Sequence, residues 1–202
     1  MKLALKKLLQ AHPSIQVSTL LSGSLSTPSA KSAFVPTSFE SISTTTLSTT
    51  TASVTFSSIP ATFTHLQLRI MARTTGGLDT IYRLNGDTTA ANYRTHLLYG
   101  EGTAATSGTI ANEAYITDVT SPSTIANAFG VAVVDFLDYA NTNKYKVSRS
   151  LGGFDMNGAT GYILLFSSLW QNTNAITSIT MNPISGSFAQ YSHFALYGIR
   201  SA

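Results

Sequence analysis

From Thr64 to Ala72 the chain alternates, with Thr64, Leu66, Leu68, Ile70 and Ala72 on one side and His65, Gln67, Arg69 and Met71 on the other. A period of two is that of a strand, one face turned to a core and the other to water or a partner. The same pattern predicts strands over residues 54–56, 64–72, 81–84, 93–99, 114–119, 127–137, 144–151, 161–169, 176–181 and 192–199. Turn chemistry separates them: Gly76-Gly77, Asn85-Gly86-Asp87, Ser121-Pro122, Asn141-Thr142-Asn143, Gly152-Gly153, Asn157-Gly158 and Asn182-Pro183. Short strands at this spacing, with no helical period among them, predict an all-β fold. The expected architecture is a jelly-roll-like antiparallel β-sandwich over residues 54–202.

The first 53 residues follow other rules. Met1, Ala4, Leu5, Leu8 and Leu9 fall on one helical face, with Lys2 and Lys6 opposite, and Pro13 ends the helix near Ala11. Residues 14–53 are rich in Ser, Thr and Pro and read as an extended arm. Ile15, Val17, Leu20, Leu21, Phe34, Val35 and Phe39 make that arm too apolar for a free tether. Leu5, Leu8, Leu9, Phe34 and Phe39 are therefore candidate anchor residues. Two readings stand side by side, a helix and arm docked on the chain's own domain and an anchor inserted into a neighbouring subunit.

Composition narrows the function classes. Only 10% of the 202 residues are charged, against about 25% in ordinary soluble domains. Such a surface packs against copies of itself without burying many charges. Lys2, Lys6 and Lys7 account for the whole net charge of +3, and the rest of the chain is balanced. The body has no basic patch, so no nucleic-acid partner is expected. With no cysteine there is no disulfide and no thiolate metal site. No apolar run reaches the length of a membrane span, and Lys6 and Lys7 interrupt what would be the apolar part of a secretory signal, so no membrane insertion is expected.

Catalytic patterns are equally sparse. His12, His65, His96 and His193 have no metal-ligand spacing. Asp135 and Asp138 fall near a strand end, where Asp commonly caps the backbone. No GxSxG, P-loop or GxGxxG occurs. No catalytic residue, cofactor or metal is expected, and the chain reads as non-enzymatic. Aromatic side chains leave one alternative open: Trp170, with Tyr93, as a stacking platform for a host surface glycan, against the plainer reading of both as core or subunit-contact residues.

Four stretches in order, SIPATFTHLQLRI, YRLNGDTTAANYRTHLLYG, NKYKVSRS and LWQNTNAITSITMNPISGSFAQYSHFALYGI, resemble a group of small bacteriophage virion proteins regarded as tail, fibre or head-decoration proteins. The resemblance covers about residues 54–200 and includes both Leu-Tyr-Gly ends, Leu98-Tyr99-Gly100 and Leu196-Tyr197-Gly198; the arm falls outside it. It implies Asn85-Gly86-Asp87 as a hairpin turn, and Tyr99 and Tyr197 as rings in a core or an interface. The expectation is a virion structural protein, assembled in the host bacterial cytoplasm. It would self-associate, a trimer being the expected assembly, and attach by its arm to other capsid or tail proteins. Capsid decoration or cement and tail fibre both remain open.

Overall fold

The computed structural model describes residues 38–157 and 160–201. The expected N-terminal helix and the candidate anchors Leu5, Leu8, Leu9 and Phe34 lie outside the described residues. Twelve strands follow in order: β1 (Phe39–Thr46), β2 (Val54–Phe56), β3 (His65–Ala72), β4 (Asp79–Leu84), β5 (Tyr93–Gly100), β6 (Ala105–Ala111), β7 (Tyr115–Asp118), β8 (Gly130–Leu137), β9 (Lys146–Met156), β10 (Thr160–Trp170), β11 (Ile179–Pro183) and β12 (His193–Ile199). They form an eight-stranded sheet in the order β1-β12-β3-β8-β9-β10-β5-β6 and a four-stranded sheet in the order β2-β11-β4-β7. Every ladder between these strands is antiparallel. The fold is an all-β sandwich.

The core is the set of inward positions that alternation predicts. Leu66, Leu68, Ile70 and Ala72 of β3 meet Val134 and Phe136 of β8 and Phe194 and Leu196 of β12 on one layer. Val54, Phe56, Tyr82, Leu84, Ile179 and Met181 supply the other. Tyr82 packs edge-on against Phe136 with ring centroids 5.1 Å apart, a favoured geometry for aromatic pairs.

The inner face changes character across the large sheet. On β9 and β10 it carries Ser148, Ser150 and Ser168, all buried. Their hydroxyls are not orphaned: Ser148 shares a hydrogen bond with the Tyr82 hydroxyl at 2.8 Å, Ser168 with Thr95 at 2.7 Å, and Ser150 donates to the Ile116 carbonyl. Strand β7 thus lies on β9 and β10 through hydrogen bonds as well as apolar contact. Gly152 permits the approach, since a Cβ there would stand 2.8 Å from the Thr117 Cβ. Beyond it, β5 and β6 extend past the small sheet, and β6 is exposed along nearly its whole length.

Three expectations are corrected. Residues 39–46, read from sequence as the end of the arm, form β1 and pair with β12 at the edge of the large sheet. Residues 105–111, where the pattern predicts no strand, form β6. Asn85-Gly86-Asp87 is a tight turn, with Asn85 and Gly86 at φ 53° and 67° and the Asp87 amide donating to the Leu84 carbonyl. It is not a hairpin, because it carries the chain from β4 in one sheet to β5 in the other.

Candidate interaction surface

The outward positions of the large sheet line up in cross-strand rows. One row runs Arg69, Val133, Leu151, Leu165, Leu98 and Ser107 over β3, β8, β9, β10, β5 and β6. Four of its members are apolar and open to solvent: Val133 is 38% exposed, Leu151 57%, Leu165 44% and Leu98 49%. The row beside it runs Met71, Val131, Gly153, Ile163, Gly100 and Ala105 in the same strand order, with Met71, Val131 and Ile163 also exposed. Together the two rows make a contiguous apolar patch across β3, β8, β9, β10 and β5. Its far side is bounded by a polar row, Gln67, Asp135, Arg149, Ser167, His96 and Thr109. Gln67 Nε2 donates to Asp135 Oδ1 at 2.9 Å, and Arg69 Nε to Gln67 Oε1 at 3.0 Å, which fixes this rim.

Exposed apolar patches of this extent on a soluble protein mark places where something docks. Sequence reasoning did not single out these residues. The signal was present in GVAVV (Gly130–Val134) and YILLF (Tyr162–Phe166), where both alternating sets are apolar, as in strands covered on both faces. A shallow hollow of about 250 Å³ opens in the patch over Gly100 and Ala105, walled by Leu98, Leu151, Ile163 and Leu165.

Of the candidate anchors, Phe39 is described. It lies half exposed on β1, stacked on Tyr197 with centroids 4.6 Å apart, and the Arg69 guanidinium sits 5.3 Å from its ring centre. Phe39 is thereby part of the sheet's outer face, not of a detached arm.

Of the two sequence readings of Trp170 and Tyr93, the plainer one, core residues, holds, and the alternative glycan platform is overturned. Trp170 and Tyr93 are each 1% exposed. Both fill the space behind the Asn85-Gly86-Asp87 turn and spend their polar atoms on it. Trp170 Nε1 donates to Asp87 Oδ2 at 2.7 Å, while the Tyr93 hydroxyl donates to the Asp87 carbonyl at 3.0 Å and accepts the Leu84 amide at 3.1 Å. Neither ring presents a face to a ligand.

A second feature is the cleft at the rim where β5 and β10 outrun the small sheet. It has a volume of about 280 Å³; Tyr99, Tyr115 and Tyr162 line it with the carboxyls of Asp79, Glu101 and Asp118. Asp79 and Asp118 are directly paired across β4 and β7. Burial, and then the Asp79 charge and hydrogen bond, push Asp118 up to about 7. The sequence spacing gave no sign of this pair. The Asp79 charge and hydrogen bond act directly on Asp118, so the two carboxyls behave as one coupled acidic pair. Two of the histidines have ordinary structural roles: His65 Nδ1 accepts the Asp138 amide at 2.9 Å, and His193 Nδ1 pairs with the Thr46 hydroxyl at 2.8 Å. Among the described residues no group of three or more His, Cys, Asp or Glu is placed to hold a metal ion.

Comparison of the chain with family models and with curated proteins finds no match to either.

Proposed function

We propose that this chain is a non-enzymatic structural protein of a bacteriophage particle, a jelly-roll sandwich that self-associates and is joined to other virion proteins by its N-terminal arm. The observation that carries the reading is the apolar patch on the outer face of the large sheet, which suits repeated contact and not turnover. The strand order supports the jelly-roll assignment. Without β5, β6, β9 and β10, the sheets reduce to β1-β12-β3-β8 and β2-β11-β4-β7, the two interleaved four-strand sheets of that fold. The two remaining hairpins widen one sheet and thereby create the patch. The position on the particle is capsid decoration or tail fibre, with assembly in the bacterial cytoplasm; the homotrimer expected from sequence is replaced below by a two-fold pair.

The test is light scattering on the full-length protein, followed by sedimentation with phage particles. A defined oligomer that co-sediments with particles supports the reading; a monomer at all concentrations that stays in the supernatant overturns it. The tyrosine-lined cleft favours a second reading, host-glycan recognition at Tyr99, Tyr115 and Tyr162 in place of Trp170 and Tyr93. Glycan-array binding that disappears in a folded Tyr162→Ala variant would support it.

A further inference from the structure

We propose that two copies of this chain pack through the outer faces of their large sheets about a two-fold axis that runs parallel to the strands between β9 and β10. The inference rests on the self-association proposed above and names the surface and the symmetry. An axis there sets β9 opposite the partner's β10, β8 opposite its β5, and β3 opposite its β6.

The register makes this pairing sterically complementary. Along the row Met71, Val131, Gly153, Ile163, Gly100 and Ala105, every large residue then faces a small one. Val131 lies over the partner's Gly100 and Met71 over the partner's Ala105, both open positions, while Ile163 lies over the partner's Gly153, which is buried and presents a flat floor without a side chain. Gly100 and Ala105 floor the 250 Å³ hollow, so Val131 and Met71 of the other copy have a place to insert. In the next row Leu151 meets the partner's Leu165, and Val133 meets the partner's Leu98, closing an apolar strip that is half exposed in the single chain.

The polar row crosses the same axis. In the polar row Asp135 falls opposite the partner's His96 and Arg149 opposite the partner's Ser167, while Arg69 falls opposite the partner's Ser107. Arg149, next to the axis, comes within one strand spacing of the partner's Arg149, and this is the one like-charge approach along the row, with Ser167 of each copy between them. Six strands at about 4.8 Å and three outward rows at about 6.8 Å give a flat footprint of roughly 600 Å² per copy. That approaches the roughly 800 Å² per partner of a standard interface. Because one patch meets itself, the contact closes at two copies and leaves the opposite side of the sandwich free.

The chain has no cysteine, so engineered thiols report without background. Val133 and Leu98 lie three strands apart within one copy, about 14 Å, but opposite each other across the axis. The full-length Val133→Cys/Leu98→Cys variant is treated with a bismaleimide whose span matches the about 10 Å between packed sheets. Covalent dimers are expected from the double variant and not from either single variant. Gly100→Leu, whose Cβ would meet nothing closer than Ile163 Cγ2 at 3.4 Å and whose side chain would occupy the hollow, is expected to fold and to be monomeric by light scattering. A wild-type trimer, or an oligomer in which the single variants cross-link as well as the double, overturns the two-fold pairing while leaving self-association standing. A wild-type monomer at all concentrations removes the self-association itself.

Discussion

Trp170 and Asp87 are 83 residues apart in the chain, yet the indole Nε1 donates to the Asp87 carboxylate at 2.7 Å. The contact ties the end of β10 to the turn that carries the chain between sheets. Asn92 Nδ2 at 2.8 Å and the Thr89 amide at 2.8 Å complete the donor set around the same carboxylate. Partial burial works to raise the Asp87 pKa, but these three donors outweigh it and bring it down to about 2.

That lowering has a definite pH signature. Between its folded value and the ordinary carboxylate value near 4, the unfolded chain binds a proton that the folded chain does not. The contribution of Asp87 is present above about pH 4 and is lost as the pH falls toward 2. Trp170, the single tryptophan, reports this turn by its fluorescence. In urea melts at pH 2 to 6, wild type and Asp87→Asn should differ most above pH 4 and converge near pH 2. A constant difference would disconnect the carboxylate charge from the turn.

Asp118 behaves in the opposite sense. Its folded value near 7 lies above the ordinary one, so the folded state holds a proton that the unfolded chain has given up. The contribution is full below about pH 4 and is lost as the pH rises through 7. Asp118→Asn should therefore be less pH-sensitive than wild type from pH 4 to 8 and more stable than wild type above pH 7, by a few kcal/mol at most. The check is the midpoint of thermal unfolding across that range.

Leucines on the two faces of the large sheet should respond differently to charge. Leu68 is fully buried in the sandwich, and Leu68→Asp should cost several kcal/mol and prevent folding. Leu151→Asp places the same charge on the outer face, where it should leave the circular dichroism spectrum of the folded chain unchanged while weakening the pairing of copies, so that its melting temperature falls at most to that of the single chain. Equal damage from both would mean that the outer face is not a surface in the free protein.

The boundary of the arm can be tested by deletion. Removing residues 1–37 spares β1 and should leave the unfolding transition of the body intact. Removal of residues 1–46 strips the strand that pairs with β12, together with the Phe39–Tyr197 stack, and should lower the melting temperature clearly. Identical melting curves would mean that β1 adds nothing to the sheet.

The alternation in His65–Ala72 was legible because each inward residue reaches one deep core, so the strand carries a full hydrophobic signal. Strand β6 was not, since of Ala105–Ala111 only Ile110 turns toward other side chains and the ladder to β5 alone holds the strand. In β1, serine and threonine replace most of the apolar set, and the irregularity between Ser41 and Ser43 breaks the period. Trp170 was readable as a core residue but its place was not fixed: burial of an indole depends on whether its N–H finds a partner, and that partner, Asp87, is distant in sequence. Asp79 and Asp118 likewise meet only because β4 pairs with β7. Periodicity carries information about faces, whereas sites are made by registers.

The unequal width of the two sheets gives the domain two levels of local stability. Strands β12, β3 and β8 are overlaid by the small sheet, and to expose their amides the shared core must come apart. Strand β6 has no second layer and holds to the rest by a single ladder, so its amides open without disturbing that core. Amide hydrogen exchange should be fastest in β6, slower in β5, and limited by global unfolding in β3 and β8. A partner copy seated on the outer face would slow exchange most in β6 and β5, converting the part of the sheet that frays most readily into one protected on assembly.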